Sequence, residues 1–242
     1  MKRTYVYFFL LLIYGCNPTN SSNEPSTAET IVRNSIEAHG GMERWQKAKE
    51  LSFHKSSEFF DANGTSESKS IQEQHFKLIP LEGTLSWLDD NNQIRIEYDG
   101  ERTIKFINGQ AISDSLVNAS AHNDFMSAHY VVCQPFKLLD AGITLIYQGK
   151  DTLDDNQFVD VVNVRYGGEG SDQWWYFFDV ESSVLIANMV QHGNTYAFIQ
   201  NLSFTESGGI KFNHHRKSWR VDSLRNKQFL RAEYFYDSII LK

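Results

Sequence analysis

The sequence predicts a mainly β fold with few helices (α+β), in which one N-terminal helix precedes a long antiparallel meander with a short inserted helix. Two observations predict it. From Glu50 onward, apolar and polar residues alternate, which is typical of strands that have one buried face. Pairs of turn-forming residues recur at strand-length intervals between these segments, which favours hairpins over strands joined by helices.

The N-terminal helix has both a start signal and a stop signal. Ser26 with Glu29 three residues later has the form of a capping box. Apolar residues follow at near-helical spacing as far as Ala38, and Gly40-Gly41 then ends the helix. The next residues, Met42 to Trp45, predict a short second turn that packs Trp45 against the core.

The strands of the meander are predicted from their alternation and from the turns between them. The alternating apolar residues are Leu51 and Phe53; Ile94, Ile96 and Tyr98; Ile104 and Phe106; Tyr196 and Phe198; and Ile210 and Phe212. The turn signals are Asn63-Gly64, Asn91-Asn92, Asp99-Gly100, Asn108-Gly109, Gly193-Asn194 and Gly208-Gly209. Such residues tolerate the positive φ angles that tight hairpins require.

One segment interrupts the strand pattern. Residues Asn118 to His129 include several alanines and the bulky pair Phe125-Met126, contain no β-branched residue, and are followed by Pro135. Because β-branched residues favour strands and their absence favours helix, we expect a short helix or lid here.

The segment Trp174-Trp175-Tyr176-Phe177-Phe178 is aromatic on both faces of a strand. Alternation places Trp174, Tyr176 and Phe178 on one face and the other two rings on the opposite face. A core covers one face. The second face could be covered by the protein's own elements, as in a central strand, or by a helix, a partner or a hydrophobic ligand.

The first fifteen residues have the pattern of a secretory signal peptide. Lys2 and Arg3 precede ten uncharged residues, Tyr5 to Tyr14, and a small residue follows. A transmembrane anchor is excluded by length, since about 20 apolar residues are needed to span a bilayer. We therefore expect residues 1–15 to be removed.

The residues Ile13-Tyr14-Gly15-Cys16 resemble the lipobox of bacterial lipoproteins, although Tyr14 occupies a slot that is usually small. The resemblance implies acylation of Cys16, and so a membrane partner; the alternative is an ordinary signal peptide whose cleavage site holds a cysteine. Residues 16–26 would then form a flexible tether, and residues 27–242 have a length that suits one domain.

Charge and cysteine content exclude several classes of protein. Removal of Lys2 and Arg3 with the signal peptide leaves 21 basic residues against 30 acidic ones, a net charge of −9. Such a charge disfavours nucleic acid and anionic headgroups as partners. If Cys16 is acylated, Cys133 has no intramolecular partner, so no disulfide framework is expected, and its apolar surroundings favour a small buried hydrophobic residue.

No catalytic or metal motif stands out. His122 and His129 are seven residues apart, which is not the spacing of a helical metal pair, and the adjacent His214 and His215 would point to opposite faces of a strand. The sequence also lacks a nucleophile elbow, a phosphate-binding loop and a His-Glu-x-x-His motif. We therefore predict a protein with no catalytic residues, metal or cofactor.

Two patches of the sequence resemble the lipoprotein-carrier (LolA/LolB-like) superfamily, in particular its uncharacterised bacterial lipoprotein branch. The first is His39-Gly40-Gly41-Met42-Glu43-Arg44-Trp45, followed by the strand at Leu51-Ser52-Phe53. The second is Pro135 to Ile143, followed by Tyr147-Gln148-Gly149 and the aromatic strand. The resemblance implies an incomplete, strongly curved antiparallel β-barrel whose mouth is closed by the N-terminal and inserted helices around a cavity for acyl chains.

The leading functional prediction is therefore an envelope lipoprotein that binds or carries a lipid, an acylated molecule or another long apolar ligand. Candidate ligand-binding residues are Trp174, Tyr176, Phe178, Phe125 and Met126. Alternatives are a structural or assembly lipoprotein that binds an envelope protein, and an envelope hydrolase. Between Cys16 and Ala28 the only acidic residue is Glu24, so we expect attachment at the periplasmic face of the outer membrane.

Overall fold

The computed structural model describes residues 26–154, 156–167 and 172–242. The predicted signal peptide over residues 1–15, the acylation site Cys16 and the tether up to residue 25 lie outside the described residues. Within them, thirteen strands and three α-helices form a mainly β structure with an open, curved antiparallel sheet, which confirms the predicted fold class. No helix in these three ranges is long and apolar enough to cross a bilayer.

The helices are α1 (Thr27–Ala38), α2 (Met42–Lys47) and α3 (Ser115–Val132), and a short 3₁₀ helix follows at Phe136–Leu139. The strands are β1 (Glu50–Phe60), β2 (Ser66–Leu78), β3 (Leu81–Asp89), β4 (Asn92–Tyr98), β5 (Thr103–Ile107), β6 (Gln110–Ala111), β7 (Thr144–Thr152), β8 (Phe158–Arg165), β9 (Gln173–Asp179), β10 (Leu185–His192), β11 (Thr195–Ser207), β12 (Ile210–Val221) and β13 (Lys227–Leu241).

All thirteen strands belong to one sheet, in the order β6-β5-β4-β3-β2-β1-β13-β12-β11-β10-β9-β8-β7. Except for β6 and β7, strands that follow each other in the chain pair as antiparallel hairpins, and β13 returns to pair with β1. Each of the six predicted turn signals lies at a hairpin. Asn91 and Gly193, for example, have φ angles of 69° and 56°, in the left-handed region that such turns need. The edges, β6 and β7, do not meet, so the barrel stays incomplete.

The sheet curves around one hydrophobic core. Ile96 on β4 and Val162 on β8 belong to the same cluster of contacting buried side chains, although these strands are nine places apart in the sheet. In a flat sheet they would be about 40 Å apart. Register shifts interrupt the pairing of β13 with β1 and β12, of β9 with β10 and of β7 with β8, and such bulges bend strands. The helices pack on the inside of this curve.

Helix α1 forms as its sequence predicts. The Ser26 side chain accepts a hydrogen bond from the Glu29 backbone at 3.2 Å, which satisfies one free N–H of the first turn. The apolar stripe of Ala28, Val32 and Ile36 is buried against the inner face of the sheet. Most of the stability of this helix therefore comes from packing rather than from propensity.

The corner between α1 and α2 docks on the β11–β12 hairpin. The buried His39 imidazole donates from Nδ1 to the Lys211 carbonyl (2.9 Å), and Nε2 accepts from the Leu185 N–H (3.2 Å). Both partners are backbone groups with a fixed role, so they fix the neutral tautomer. Arg44 donates to the Gly40 and Gly209 carbonyls at 2.7 and 3.0 Å. The first sequence patch that resembles the LolA/LolB-like superfamily therefore holds the α1–α2 corner against the β11–β12 hairpin.

The two sequence patches that resemble the LolA/LolB-like superfamily contact each other through two aromatic rings. Trp45 of α2 stacks on Phe136 of the 3₁₀ helix, with ring centroids 4.8 Å apart and 13° between the planes. The predicted packing of Trp45 on the core is confirmed, since Trp45 contacts the main hydrophobic cluster. These two stretches of the sequence therefore stabilise each other.

The inserted helix is longer than predicted, since α3 spans Ser115–Val132 rather than Asn118 to His129. Asp114 caps it by accepting hydrogen bonds from the Leu116 and Val117 backbone at 2.8 and 3.1 Å. The predicted segment was chosen for its lack of β-branched residues, so it left out Val117, Val131 and Val132. β-Branching lowers helix propensity only slightly, and at the N-terminal end the Asp114 cap offsets it.

We expect Gly40→Ala to destabilise the protein by about 2–4 kcal/mol. Gly40 has a φ angle of 115°, and a Cβ atom there would lie 2.3 Å from the Gly209 carbonyl oxygen. Gly142→Ala is a matched control, because its φ is 87° but nothing lies within 4 Å of the added Cβ. The control should cost only about 1 kcal/mol in urea unfolding. Equal losses for the two variants would contradict the docking contact.

His39 should make stability depend on pH. Burial lowers the pKa of His39 to about 4 from 6.5. The unfolded chain therefore takes up a proton below pH 6.5 that the folded chain excludes, so the stabilisation is fully present above pH 6.5 and is lost as the pH falls towards 4. The loss is on the order of 3 kcal/mol. His129, whose pKa burial also lowers to about 4, adds to it over the same range.

Urea unfolding between pH 4.5 and 7.5 measures this effect. His39→Gln cannot take up the proton, so it should be less stable than the wild type at pH 7.5 and should lose less stability on acidification. A variant that loses stability as steeply as the wild type would show that His39 is not responsible.

Candidate ligand-binding site

Helix α3 lies along the inside of the curved sheet. Its buried residues Ala121, Phe125, His129 and Val132 form one stripe at helical spacing. The Phe125 ring contacts Phe76 of β2, with centroids 5.2 Å apart, and the His129 ring also contacts Phe76 at 5.3 Å. The helix therefore covers the N-terminal half of the sheet.

Polar side chains fasten the N-terminal half of α3 to the strands. Asn118 accepts from the Lys105 backbone N–H of β5 and donates to the Ile112 carbonyl, both at 2.9 Å. One turn further on, His122 Nδ1 lies 2.8 Å from the Thr103 hydroxyl. The contacts of α3 with strands are concentrated on β4 and β5. The C-terminal half of the helix instead borders two cavities.

The first of these, the tyrosine cavity, has a volume of about 350 Å³ and lies between α3 and β9. It is lined by Met126, Ser127, Tyr130, Val131, Gln134, Tyr166, Trp174 and Tyr176. Its lining is largely aromatic and aliphatic, and its volume lies at the lower end of the range of about 300–1,000 Å³ for ligand pockets. The cavity thus has the size and lining of a site for an apolar group.

The few polar atoms of the tyrosine cavity are bonded to one another. The Tyr166 hydroxyl lies 2.8 Å from that of Tyr130 and 2.7 Å from that of Tyr176, and Gln134 donates to the Tyr176 hydroxyl at 2.8 Å. Burial raises the pKa of all three hydroxyls above the ordinary tyrosine value. They stay neutral at physiological pH and leave no charge in this cavity.

The second, the lysine cavity, lies on the other side of α3 and also has a volume of about 350 Å³. It is lined by Lys55, Gln72, Gln74, Leu85, Trp87, Ile96, Asp124, Ser127, Ala128, Val131 and Tyr236. Ser127 and Val131 of α3 belong to both linings. These two side chains of α3 therefore separate the tyrosine cavity from the lysine cavity inside the curved sheet.

The lysine cavity is polar on its β1, β2 and β13 side. Gln74 is 1 % exposed, and its Oε1 has no hydrogen-bond partner. Burial opposes ionisation of the Tyr236 hydroxyl, but the nearby positive charges of Lys55 and Arg216 outweigh it and lower its pKa below the ordinary value. The electrostatic potential at this wall is therefore positive.

The sequence-predicted site residues separate into two groups. Met126, Trp174 and Tyr176 come together at the tyrosine cavity. Phe125 and Phe178 are 0 % and 1 % exposed, and they pack in the main hydrophobic cluster behind the cavity lining. Their role in ligand binding stays a prediction. Predicted alternation of β9 is correct, since Trp174, Tyr176 and Phe178 share that cluster whereas Trp175 and Phe177 do not.

The opposite face of β9 is covered by the protein itself. Phe177 lies in a second cluster on the outer face of the sheet, with Val161, Met189 and Phe198. The Arg225 guanidinium, from the β12–β13 loop, lies 5.1 Å from the Phe177 ring centroid and is held by Asp151 at 2.7 Å. The sequence left four possibilities for what covers this face: the protein's own elements, a helix, a partner or a hydrophobic ligand. In the structure, side chains of the protein's own elements cover it.

Sequence reasoning missed the polar residues of both cavities. Lys55 carried a usable signal, since it continues the period-two series of Leu51 and Phe53 and so shares their inward face. Tyr130 and Tyr166 carried none, because they are 36 residues apart and only the fold brings them together. Long-range pairing of this kind is invisible in one sequence.

The described ranges contain no group of three or more metal-ligating side chains that could hold an ion. Cys133 is buried, and burial raises the pKa of its thiol well above the ordinary value. Such a thiol is not a nucleophile at physiological pH. It fills space in the core, as predicted.

No family model and no curated protein matches the sequence. Several solved structures match in fold, including the following three. A DUF1329 family protein from Desulfovibrio piger has a TM-score of 0.56 at 7% identity, over 88% of this chain and 92% of that chain. A LolA superfamily protein from Nitrosomonas europaea has a TM-score of 0.53 at 9% identity, over 89% and 93%. A domain named for outer membrane lipoprotein sorting, from Vibrio parahaemolyticus, has a TM-score of 0.51 at 8% identity, over 87% and 93%.

These likenesses cover most of each chain and concern the fold. The predicted resemblance is confirmed at that level, and the protein has a LolA-like fold.

We expect Asn118→Ala to lower stability by about 1–3 kcal/mol, because it removes both hydrogen bonds that join α3 to the strand region. Asn123→Ala is a matched control on the exposed side of the same helix, and should change stability by less than about 0.5 kcal/mol. Urea unfolding measures both. If the two variants were equally stable, Asn118 would not be what fastens the helix.

Proposed function

We propose that the protein is an envelope lipoprotein that binds a lipid, an acylated molecule or another long apolar ligand inside the curved sheet, beside α3. The observation that carries this proposal is the pair of cavities on the two sides of α3, which share Ser127 and Val131. One has an almost wholly apolar and neutral lining. Together they offer a continuous path for a chain-like ligand if the helix shifts.

Apolar burial alone supplies enough free energy for such a ligand. Each buried CH₂ group contributes about 0.8 kcal/mol, so an acyl chain of about 16 carbons gains about 12 kcal/mol before the costs of binding. A site of this kind depends on its shape and its apolar side chains rather than on a particular set of polar residues. That explains how a binding protein can lack every short motif.

Helix α3 is suited to move at one end. Hydrogen bonds of Asn118 and His122 hold its N-terminal half. Its C-terminal half packs Phe125 and His129 on Phe76 along one side, while Met126 and Val131 border cavities on its other sides. A small outward rotation about the N-terminal half would join the two cavities. Ligand entry then requires no unfolding of the sheet.

The polar groups at the tyrosine cavity favour binding over catalysis. Its three tyrosines are neutral, and their hydroxyls are already hydrogen-bonded to one another or to Gln134. A general acid or base needs a pKa near the working pH, and the pKa values of these hydroxyls are shifted away from it. We therefore propose no reaction at this site.

The N-terminal sequence carries the proposed location. Acylation of Cys16 would place residues 27–242 at a membrane, and the polar segment after Cys16 would give the domain reach. Two of the fold neighbours are named for the LolA superfamily and for outer membrane lipoprotein sorting, which supports an envelope location. We propose the periplasmic face of the outer membrane.

The alternative, a lipoprotein whose aromatic strand binds a protein partner, has less support. Strand β9 pairs with β8 and β10, so its backbone is already hydrogen-bonded within the sheet. A strand of a partner could add only at β6 or β7, the edges of the sheet in its described part.

The proposal predicts that Met126→Trp, which fills the tyrosine cavity, weakens uptake of a fluorescent fatty-acyl probe at least about tenfold, because the added ring occupies ligand volume. The matched control is Ile71→Trp, which adds the same ring on the exposed outer side of β2. Each variant is made in the chain carrying Cys16→Ser, so that it can be purified without acylation or detergent.

Probe titration and native mass spectrometry measure the outcome. The control should bind like the parent chain, and the parent should retain a co-purified lipid or take up the probe. A parent chain that binds no acyl probe, together with one stoichiometric protein recovered by crosslinking in the envelope, would replace this proposal with the partner-binding alternative.

A further inference from the structure

From the lysine cavity we infer that the ligand is an anionic amphiphile whose head places a carboxylate or phosphate oxygen at Lys55 and Tyr236 and a hydroxyl at Gln74, while its chain lies along α3. This inference rests on the proposed function and names the class of ligand. It assigns the two cavities different roles, one for the head and one for the tail.

Lys55 is a cation on the inward face of a strand. It follows Leu51 and Phe53 in the series of β1 residues that face the core, and it pairs with Tyr236 of β13 and Gln72 of β2. Its ammonium group lies 5.2 Å from the Tyr234 ring centroid. None of the ion pairs among the described residues involves Lys55. The Lys55 charge thus has no carboxylate partner in the described part of the chain.

Two further polar groups point to a ligand at the same wall. The Gln74 side chain is buried, yet its Oε1 has no hydrogen-bond partner although its amide nitrogen donates to Gln72 at 2.7 Å. Leaving such an atom unsatisfied costs about 1–3 kcal/mol. A head bearing both an anionic oxygen and a hydroxyl would satisfy Lys55 and Gln74 together. The Tyr236 hydroxyl, on the neighbouring strand, adds a donor.

A second cation, Arg216, lies next to Tyr236 in this wall and is buried. Arg216 is 4 % exposed and donates to the neutral side chains of Asn201 and Asn188, both at 2.8 Å. It forms no ion pair with a described carboxylate, so its positive charge is not neutralised locally. Asp124 of α3 is the one carboxylate in the lining. Lys55 and Arg216 thus outnumber Asp124 in this part of the interior. The local potential is positive although the net charge of the chain is negative, so an anion that enters the cavity is attracted.

The rest of the lining suits the start of an apolar chain. Leu85, Trp87 and Ile96 form the wall on β3 and β4, and Ala128 and Val131 form the wall on α3. Val131 also lines the tyrosine cavity, so a shift of α3 would let the chain continue past Val131 towards Met126 and Trp174. The head would therefore be held at the polar wall and the chain would cross beneath the helix.

Calorimetric titration of the chain carrying Cys16→Ser with decanoate, 1-decanol and acetate tests the inference. Decanoate has both head and chain, decanol lacks the charge, and acetate lacks the chain. We expect decanoate to bind about tenfold or more tighter than decanol, as a charge-assisted contact would give, and acetate to bind far more weakly than either. Acetate binding as tight as that of decanoate would mean a small-anion site only and would overturn the inference.

Substitutions assign the effect to the wall. Lys55→Gln should remove the preference for decanoate over decanol, whereas Lys55→Arg should keep it. Asp124→Asn should tighten decanoate binding about two- to threefold, because it removes the opposing charge. Lys69→Gln is the control, since Lys69 is an exposed lysine on β2 that pairs with Glu58 on the surface.

The outcomes separate the two proposals. If Lys55→Gln binds decanoate as tightly as the parent chain, the head site is wrong although the ligand-binding function stands. If the parent binds neither decanoate nor decanol, the proposed function itself fails. Thermal unfolding of each variant, compared with its parent, shows whether a loss of binding comes from misfolding, and Lys55→Arg retains the charge where Lys55→Gln is unstable.

Discussion

An open sheet of thirteen strands has an inner face that the rest of the chain must cover, and this constraint organises the molecule. The sheet brings residues as distant as Ile96 and Val162 into one core, while its edges, β6 and β7, stay apart. Helix α1 fills one region of the concavity, and α3 covers another. A single helix does not fill the whole space enclosed by the curved sheet, so cavities remain on both sides of α3. The cavities beside α3 follow from the curvature rather than from any special sequence.

The coarse fold could be predicted because its signals are local. The capping pair Ser26 and Glu29, the hairpin turns and the alternation of β9 each concern residues close in sequence, and each is found as expected. The N-terminal end of α3 was misjudged because the Asp114 cap decides it, and capping by one residue can outweigh the low helix propensity of its neighbours. The two family-like patches were recognised, but their contact at Trp45 and Phe136 exists only in the folded chain.

The candidate site could be predicted only in part, for a physical reason. Apolar and aromatic residues mark both a cavity lining and a core, so the prediction combined Met126, Trp174 and Tyr176, which line the tyrosine cavity, with Phe125 and Phe178, which are buried behind it. A sequence says which residues are apolar and which face they share. It does not say where packing is incomplete, because a cavity is what remains after every side chain has been placed.

The buried polar wall sets part of the interior apart from the apolar core. Burying Arg216 without a carboxylate is costly, and the structure meets that cost with the amide oxygens of Asn188 and Asn201. Replacing such a group with a well-packed apolar side chain is often neutral or stabilising, so stability alone does not explain its presence. Lys55 and Gln74 extend the same wall to a cavity, where their polar atoms can meet a ligand. Stability does not account for these buried polar groups, whereas the proposed binding of a ligand in the lysine cavity does.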